Sequence, residues 1–133
     1  MFNFFKRQPK KEKIIEEKVE LTEDQRKTVQ DEISLKEAEL RNLIKNDDID
    51  ELAKGYEELG VLQSELDIDA SIESLEKSFS YKKTIGIGYK ILMRLYNQKR
   101  SEAAHKGDSQ EIEKWMEKMD ELRQIARNNT IGG

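Results

Sequence analysis

The segment Lys82-Lys83-Thr84-Ile85-Gly86-Ile87-Gly88-Tyr89 gathers the residue types from which phosphate-binding loops are built: lysines, a hydroxyl side chain and closely spaced glycines. In such a loop the glycines come first, so that bare backbone N–H groups wrap the anion, and a lysine followed by Ser or Thr closes the cradle. Here the order is inverted, with Lys83-Thr84 ahead of Gly86 and Gly88. A dinucleotide fingerprint would need a third glycine and a preceding strand, whereas Phe79-Ser80-Tyr81 continues a helical pattern. The economical expectation is a joint. Thr84 caps the helix that follows, and the glycines in its first turn allow close packing against the preceding helices. Lys82 and Lys83 stay free to meet an acidic partner.

Glu102 and His105 form an E-x-x-H pair, which on a helix directs both side chains to one side and supplies half of a di-metal carboxylate motif. The chain has one histidine, so only a symmetric dimer could supply the second half, and with no cysteine thiolate sites are excluded. With Gly107 close behind, His105 reads better as a favourable charge near a helix C-terminus. Ser, Thr and carboxylates are plentiful, but no nucleophile stands recognisably beside a base. Trp115, Met116 and Met119 have the spacing of a helix core rather than of a ligand box. The expectation is a non-enzyme with no catalytic, cofactor-binding or metal-ligating residues.

Elements must position whatever chemistry remains. The length of 133 residues suits one domain with a real core. Charged residues, at 39%, outnumber hydrophobic ones at 35%, which fits long amphipathic helices or disorder, so periodicity has to decide. The single proline is Pro9, and nothing after it interrupts helical hydrogen bonding. Apolar stripes at three- and four-residue steps predict five helices, at about 23–45, 49–66, 68–80, 85–105 and 109–127. Their stripes are Val29, Ile33, Leu40, Leu43 and Ile44; then Ile49, Leu52, Ala53, Tyr56, Leu59 and Gly60; then Ile68, Ile72, Leu75 and Phe79. The fourth carries Ile85, Ile91, Leu92, Leu95 and Tyr96, and the fifth Ile112, Trp115, Met116, Met119, Leu122 and Ala126. Thr22 with Gln25, Asp48 with Glu51, Asp67, and Asp108 with Glu111 supply start signals, and Gly107 a stop. No run of period-two alternation predicts a strand. The fold class is all-α, and the short connections predict antiparallel pairs, the last four helices forming two hairpins.

Residues 1–21 form a separate tail and linker. Phe2, Phe4 and Phe5 stand beside Lys6, Arg7, Lys10, Lys11 and Lys13. Five basic residues against Glu12 give residues 1–13 a net +4, leaving −8 for the rest of a chain whose total is −4. That body is the wrong sign for a general nucleic-acid binder. Basic residues near anionic lipid contribute about 1 kcal/mol each, and a fully buried Phe about 1.5–3 kcal/mol. Together they permit weak, reversible contact with a membrane surface or acidic partner, and no stable anchor. The alternatives are a disordered tail or Phe side chains folded onto the body. No apolar run approaches the roughly 20 residues that span a bilayer, and no secretion signal is present, so the expected location is cytoplasmic, with membrane-peripheral contact through the tail.

The stretch AKGYEELGVLQSELDIDASIESLEKSF resembles a tetratricopeptide repeat over about 30 residues. Tyr56, Leu59 and Gly60 fall where that repeat has its aromatic, leucine and small residue, and Asp67, Asp69, Ile72, Leu75 and Ser78 match its second helix. Setting Tyr56, Leu59 and Leu62 against Tyr89, Leu92 and Leu95 gives a shift of 33 residues, close to the family's period. The departures are a turn before Asp67 one residue short, Gln63 for a usual aromatic, no proline after Phe79, Met93 for the glycine, and a second hairpin about two turns longer. The resemblance implies a short α-solenoid that binds a peptide or protein on a groove lined by the first helix of each hairpin. Carried onto this chain, that groove comprises Lys54, Glu57, Val61, Ser64 and Glu65, then Lys90, Arg94, Asn97 and Gln98. Lys90 and Arg94, four apart with Asn97 beyond, share a face suited to a carboxylate-bearing partner. The expected role is a protein-binding adaptor; the alternative is a structural or regulatory component recruited to a membrane surface by its tail. Self-association through the exposed ends of the array is a further expectation.

Overall fold

The computed structural model describes residues 20–132, with side chains through Asn129. The aromatic-basic residues of the tail lie outside the described residues. Every regular element described is an α-helix: α1 (Glu23–Ile44), α2 (Ile49–Gln63), α3 (Ile68–Tyr81), α4 (Ile87–Lys106) and α5 (Ser109–Gly132).

The predicted caps account for most of these boundaries. Thr22 Oγ1 accepts the Gln25 N–H while the Gln25 side chain accepts the Thr22 N–H, a reciprocal capping box. Asp48 accepts from the Glu51 N–H, Asp67 from Ala70 and Asp108 from Glu111, so each carboxylate satisfies an otherwise unpaired donor at a helix start. Gly107, at φ 71°, ends α4 in the left-handed conformation that suits glycine.

Three boundaries differ from expectation, the first being the end of α5, which runs on to Gly132 rather than stopping near 127. The second helix stops at Gln63, because residues 64–66 must unwind into a turn to give Asp67 the extended geometry of a cap; both Leu66 and Asp67 donate to the Gln63 carbonyl. The fourth helix begins at Ile87, leaving Thr84 and Ile85 in the linker, and its N-cap is Gly86.

Packing follows chain order. α2 lies on α3, α4 on α5 and α1 on α2, with lesser contacts between α3 and α4 and between α2 and α4. One core joins Ile72, Leu75 and Phe79 of α3 to Leu92, Leu95 and Tyr96 of α4 and Met119 and Leu122 of α5. A second joins Leu40 of α1 to Leu52 and Leu59 of α2. Between α2 and α3 the helices approach closely over small residues. Ser71 Oγ donates to the Gly60 carbonyl, Ser78 Oγ to the Ala53 carbonyl and Ser74 Oγ to Gln63 Oε1. A Cβ on Gly60 would stand 2.5 Å from Leu75 Cγ, so the contact requires glycine. The Ser71 and Ser78 bonds occur in opposite order along the two helices.

Four stripe residues expected inside lie outside. Ile44 and Ile49 flank the turn at 45–47, where α2 is the one described helix that packs on α1. Ile85 is in the linker, and Met116 is 52% exposed because α4 and α3, on which α5 packs through Met119 and Leu122, cover only part of its apolar stripe. No helix among the described residues is long and apolar enough to cross a membrane.

Candidate partner-binding groove

The joint that opens α4 has a different solution from the one its sequence suggests. Gly86 is extended and offers no side chain, and Thr84 is exposed in the linker rather than serving as the cap. The carboxylate comes from another helix: Glu57 Oε2 of α2 accepts the Gly88 N–H at 2.9 Å. A Cβ at Gly88 would lie 2.6 Å from that oxygen, so the glycine makes room for a tertiary cap. The partial positive charge of the α4 N-terminus is thus met by the chain's own anion.

Glu57 also stands at the edge of a crevice of about 380 Å³. Its apolar surface comes from half-buried Val61 and Leu62 of α2 and from Ile87, which is 57% exposed at the start of α4. Glu32 and Lys36 of α1 and Glu58 of α2 complete the lining. Lys36 Nζ lies 3.0 Å from Glu58 Oε1 and 3.1 Å from Glu39 Oε2. These bonds, Glu58's first and Glu39's second, raise the lysine above its ordinary value. Its charge is therefore committed to its own chain. Glu32 forms no ion pair with a described residue, and the rim is net acidic.

Of the expected groove residues, Glu57 and Val61 reach this crevice. Lys54 lines a smaller hollow of about 110 Å³ between α1 and α2, with Lys36, Glu39 and Glu51 among its walls. Ser64 donates its hydroxyl to the Val61 carbonyl at 2.7 Å, and Glu65 is exposed in the following turn. On α4, Lys90 is exposed and Arg94 half-buried, and neither forms an ion pair with a described residue. Asn97 Oδ1 accepts from Arg100 Nε and Nη2 at 3.1 and 2.9 Å, and Gln98 is half-buried. Glu32, Lys36, Glu58, Leu62 and Ile87 were not on the sequence-derived surface. Ile87 had a readable signal, since it stands three and seven residues before Lys90 and Arg94, on their face of the helix.

No family model, curated protein or solved structure matches the chain.

A second polar cluster ties α3, α4 and α5 together. Tyr96 Oη donates to Glu76 Oε2, and Lys118 Nζ lies 2.8 Å from the same oxygen. The ammonium stands 5.6 Å from the Tyr96 ring centroid, and that ring is 5.7 Å from Trp115. Burial first, and then the bond to Glu76, push the Tyr96 phenol far above its ordinary value. Its place between three helices suits a structural clamp. Trp115 is half-buried and Met119 buried, so the expected core role holds for Met119 and in part for Trp115.

His105 is exposed, with Nδ1 2.9 Å from the Ser101 carbonyl one turn back. Glu102 lines a polar hollow of about 370 Å³ shared with the Lys99–Asp69 ion pair. The described residues contain no group of three or more His, Asp or Glu suited to a metal ion.

Proposed function

We propose that this chain is a non-enzymatic, tetratricopeptide-like interaction module that holds a peptide or protein along the face running from the α1–α2 crevice onto α4. One observation carries the reading: Ile87 is 57% exposed beside half-buried Val61 and Leu62, in a crevice with walls from three helices. A large apolar side chain left open beside a concave apolar surface is what an anchor from a partner would cover. Support for the repeat-like reading comes from the close α2–α3 contact over Gly60, Ser71 and Ser78, and from the contact of α2 with α4, the first helices of the two proposed hairpins. Lys90 and Arg94 extend the face with cations open to carboxylates. An adaptor role in the cytoplasm follows from this reading, as does self-association through the Met116 face of α5.

The test is selection of displayed peptides on the intact chain, followed by titration against Ile87→Asp and Val61→Asp. Selected peptides should lose at least about tenfold in affinity to either variant, as loss of a central apolar anchor does, while far-ultraviolet circular dichroism stays unchanged. Peptides that bind both variants like the parent chain would refute the reading.

A further inference from the structure

Resting on that reading, we infer that the crevice takes a protein segment in which an apolar side chain is flanked by lysine or arginine. The occupant's chemistry is set by the walls. Val61, Leu62 and Ile87 offer an apolar seat, and a cavity of about 380 Å³ has room for one large side chain. Around it stand the carboxylates of Glu32, Glu57 and Glu58 against the single ammonium of Lys36. That ammonium is already divided between Glu58 and Glu39 at 3.0 and 3.1 Å. One Glu57 oxygen is taken by the Gly88 N–H, while Glu32 has no ion-pair partner among the described residues. An acidic segment would therefore meet uncompensated like charge at the mouth. Cations beside the anchor would meet Glu32 and the open edges of Glu57 and Glu58.

The contrast with α4 gives the bound segment a direction. Lys90 and Arg94 lie one and two helical turns beyond Ile87 and bear the opposite sign. A segment anchored at Ile87 places its basic flank toward α1, and any carboxylates toward Lys90 and Arg94 further along the N-terminal half of α4. The surface thus selects orientation as well as composition.

The experiment uses the full chain and three short synthetic peptides sharing one central leucine, with flanks of Lys/Arg, of Glu/Asp or of Ser. Methyl resonances of Val61, Leu62 and Ile87 are followed by NMR during titration, with and without added salt. The Lys/Arg peptide should shift all three methyls, and its apparent affinity should drop by about threefold or more in Glu32→Lys with Glu58→Lys, and also with added salt. Equal or stronger binding by the Glu/Asp peptide overturns the inference. So does binding that perturbs only the Lys90–Arg94 face, an outcome that leaves the protein-binding reading standing. If deleting residues 1–13 shifts the three methyls before any peptide is added, the crevice is filled by the chain's own aromatic-basic end and the proposal of a separate partner falls.

Discussion

Glu57 on α2 caps α4 through the Gly88 N–H, at 2.9 Å. The bond ties two helices that are not consecutive, and it places a charged acceptor where the α4 dipole is positive. Glu57→Gln keeps an acceptor and should cost about 0.5–1 kcal/mol, whereas Glu57→Ala removes it and should cost about 1–2 kcal/mol. Gly88→Ala alone should destabilise by a similar amount, since the new Cβ would sit 2.6 Å from the Glu57 carboxylate and expel it. In the Glu57→Ala background the same alanine should become neutral or stabilising, because only its better helix propensity is left. Urea unfolding of the four-member cycle reads this coupling directly.

Gly60 and Leu75 set the separation of α2 and α3. Gly60→Ala should lower stability by about 1–3 kcal/mol despite the helix preference for alanine, because Leu75 is completely buried and has little room to yield. Ser78→Ala fits the same space and loses only the hydroxyl bond to the Ala53 carbonyl. Its cost should be about 1 kcal/mol or less. Thermal unfolding of both variants should rank Gly60→Ala as clearly the more damaging.

Tyr96 makes stability sensitive to alkali. Burial and the bond to Glu76 raise its pKa in the folded chain above the ordinary 10.0. The folded state then holds the phenolic proton where the unfolded chain releases it. This contribution is fully present below pH 10 and declines as pH rises above that value toward the folded-state pKa. Tyr96→Phe should be somewhat less stable at neutral pH for want of the hydroxyl bond, and its stability should fall less steeply than the parent's above pH 10. Denaturant titrations on either side of that pH compare the slopes, with lysine titration common to both chains.

Asp47 holds φ at 55° in the turn between α1 and α2, in the left-handed region where a side chain costs energy. Asp47→Gly should match or exceed the parent in melting temperature. Asp47→Val should lose about 1–2 kcal/mol, because a β-branched side chain fits this conformation poorly. Calorimetry of the pair checks the order.

Helix positions were legible because their determinants are local. A capping carboxylate or hydroxyl acts within three residues, so Thr22, Asp48, Asp67 and Asp108 could be read directly, as could the stop at Gly107. Apolar stripes likewise showed which faces turn inward, and Leu40, Leu59, Leu75, Leu92 and Leu122 are buried as their spacing requires. Where a stripe was wider than the neighbour that covers it, as at Ile49 and Met116, burial could not be read from periodicity.

The KKTIGIGY joint marks the boundary between the two kinds of knowledge. The amino-acid sequence by itself excluded the ordered phosphate loop and placed a helix start there, since residue order and turn chemistry are properties of neighbours along the chain. Only the tertiary structure decided that Glu57, far away in sequence, supplies the cap in place of Thr84. It also decided that Ile87 stands open beside Val61, Leu62 and the α1 carboxylates. Those relationships depend on how α1, α2 and α4 pack. Packing joins residues by distance in space, which no local spacing encodes.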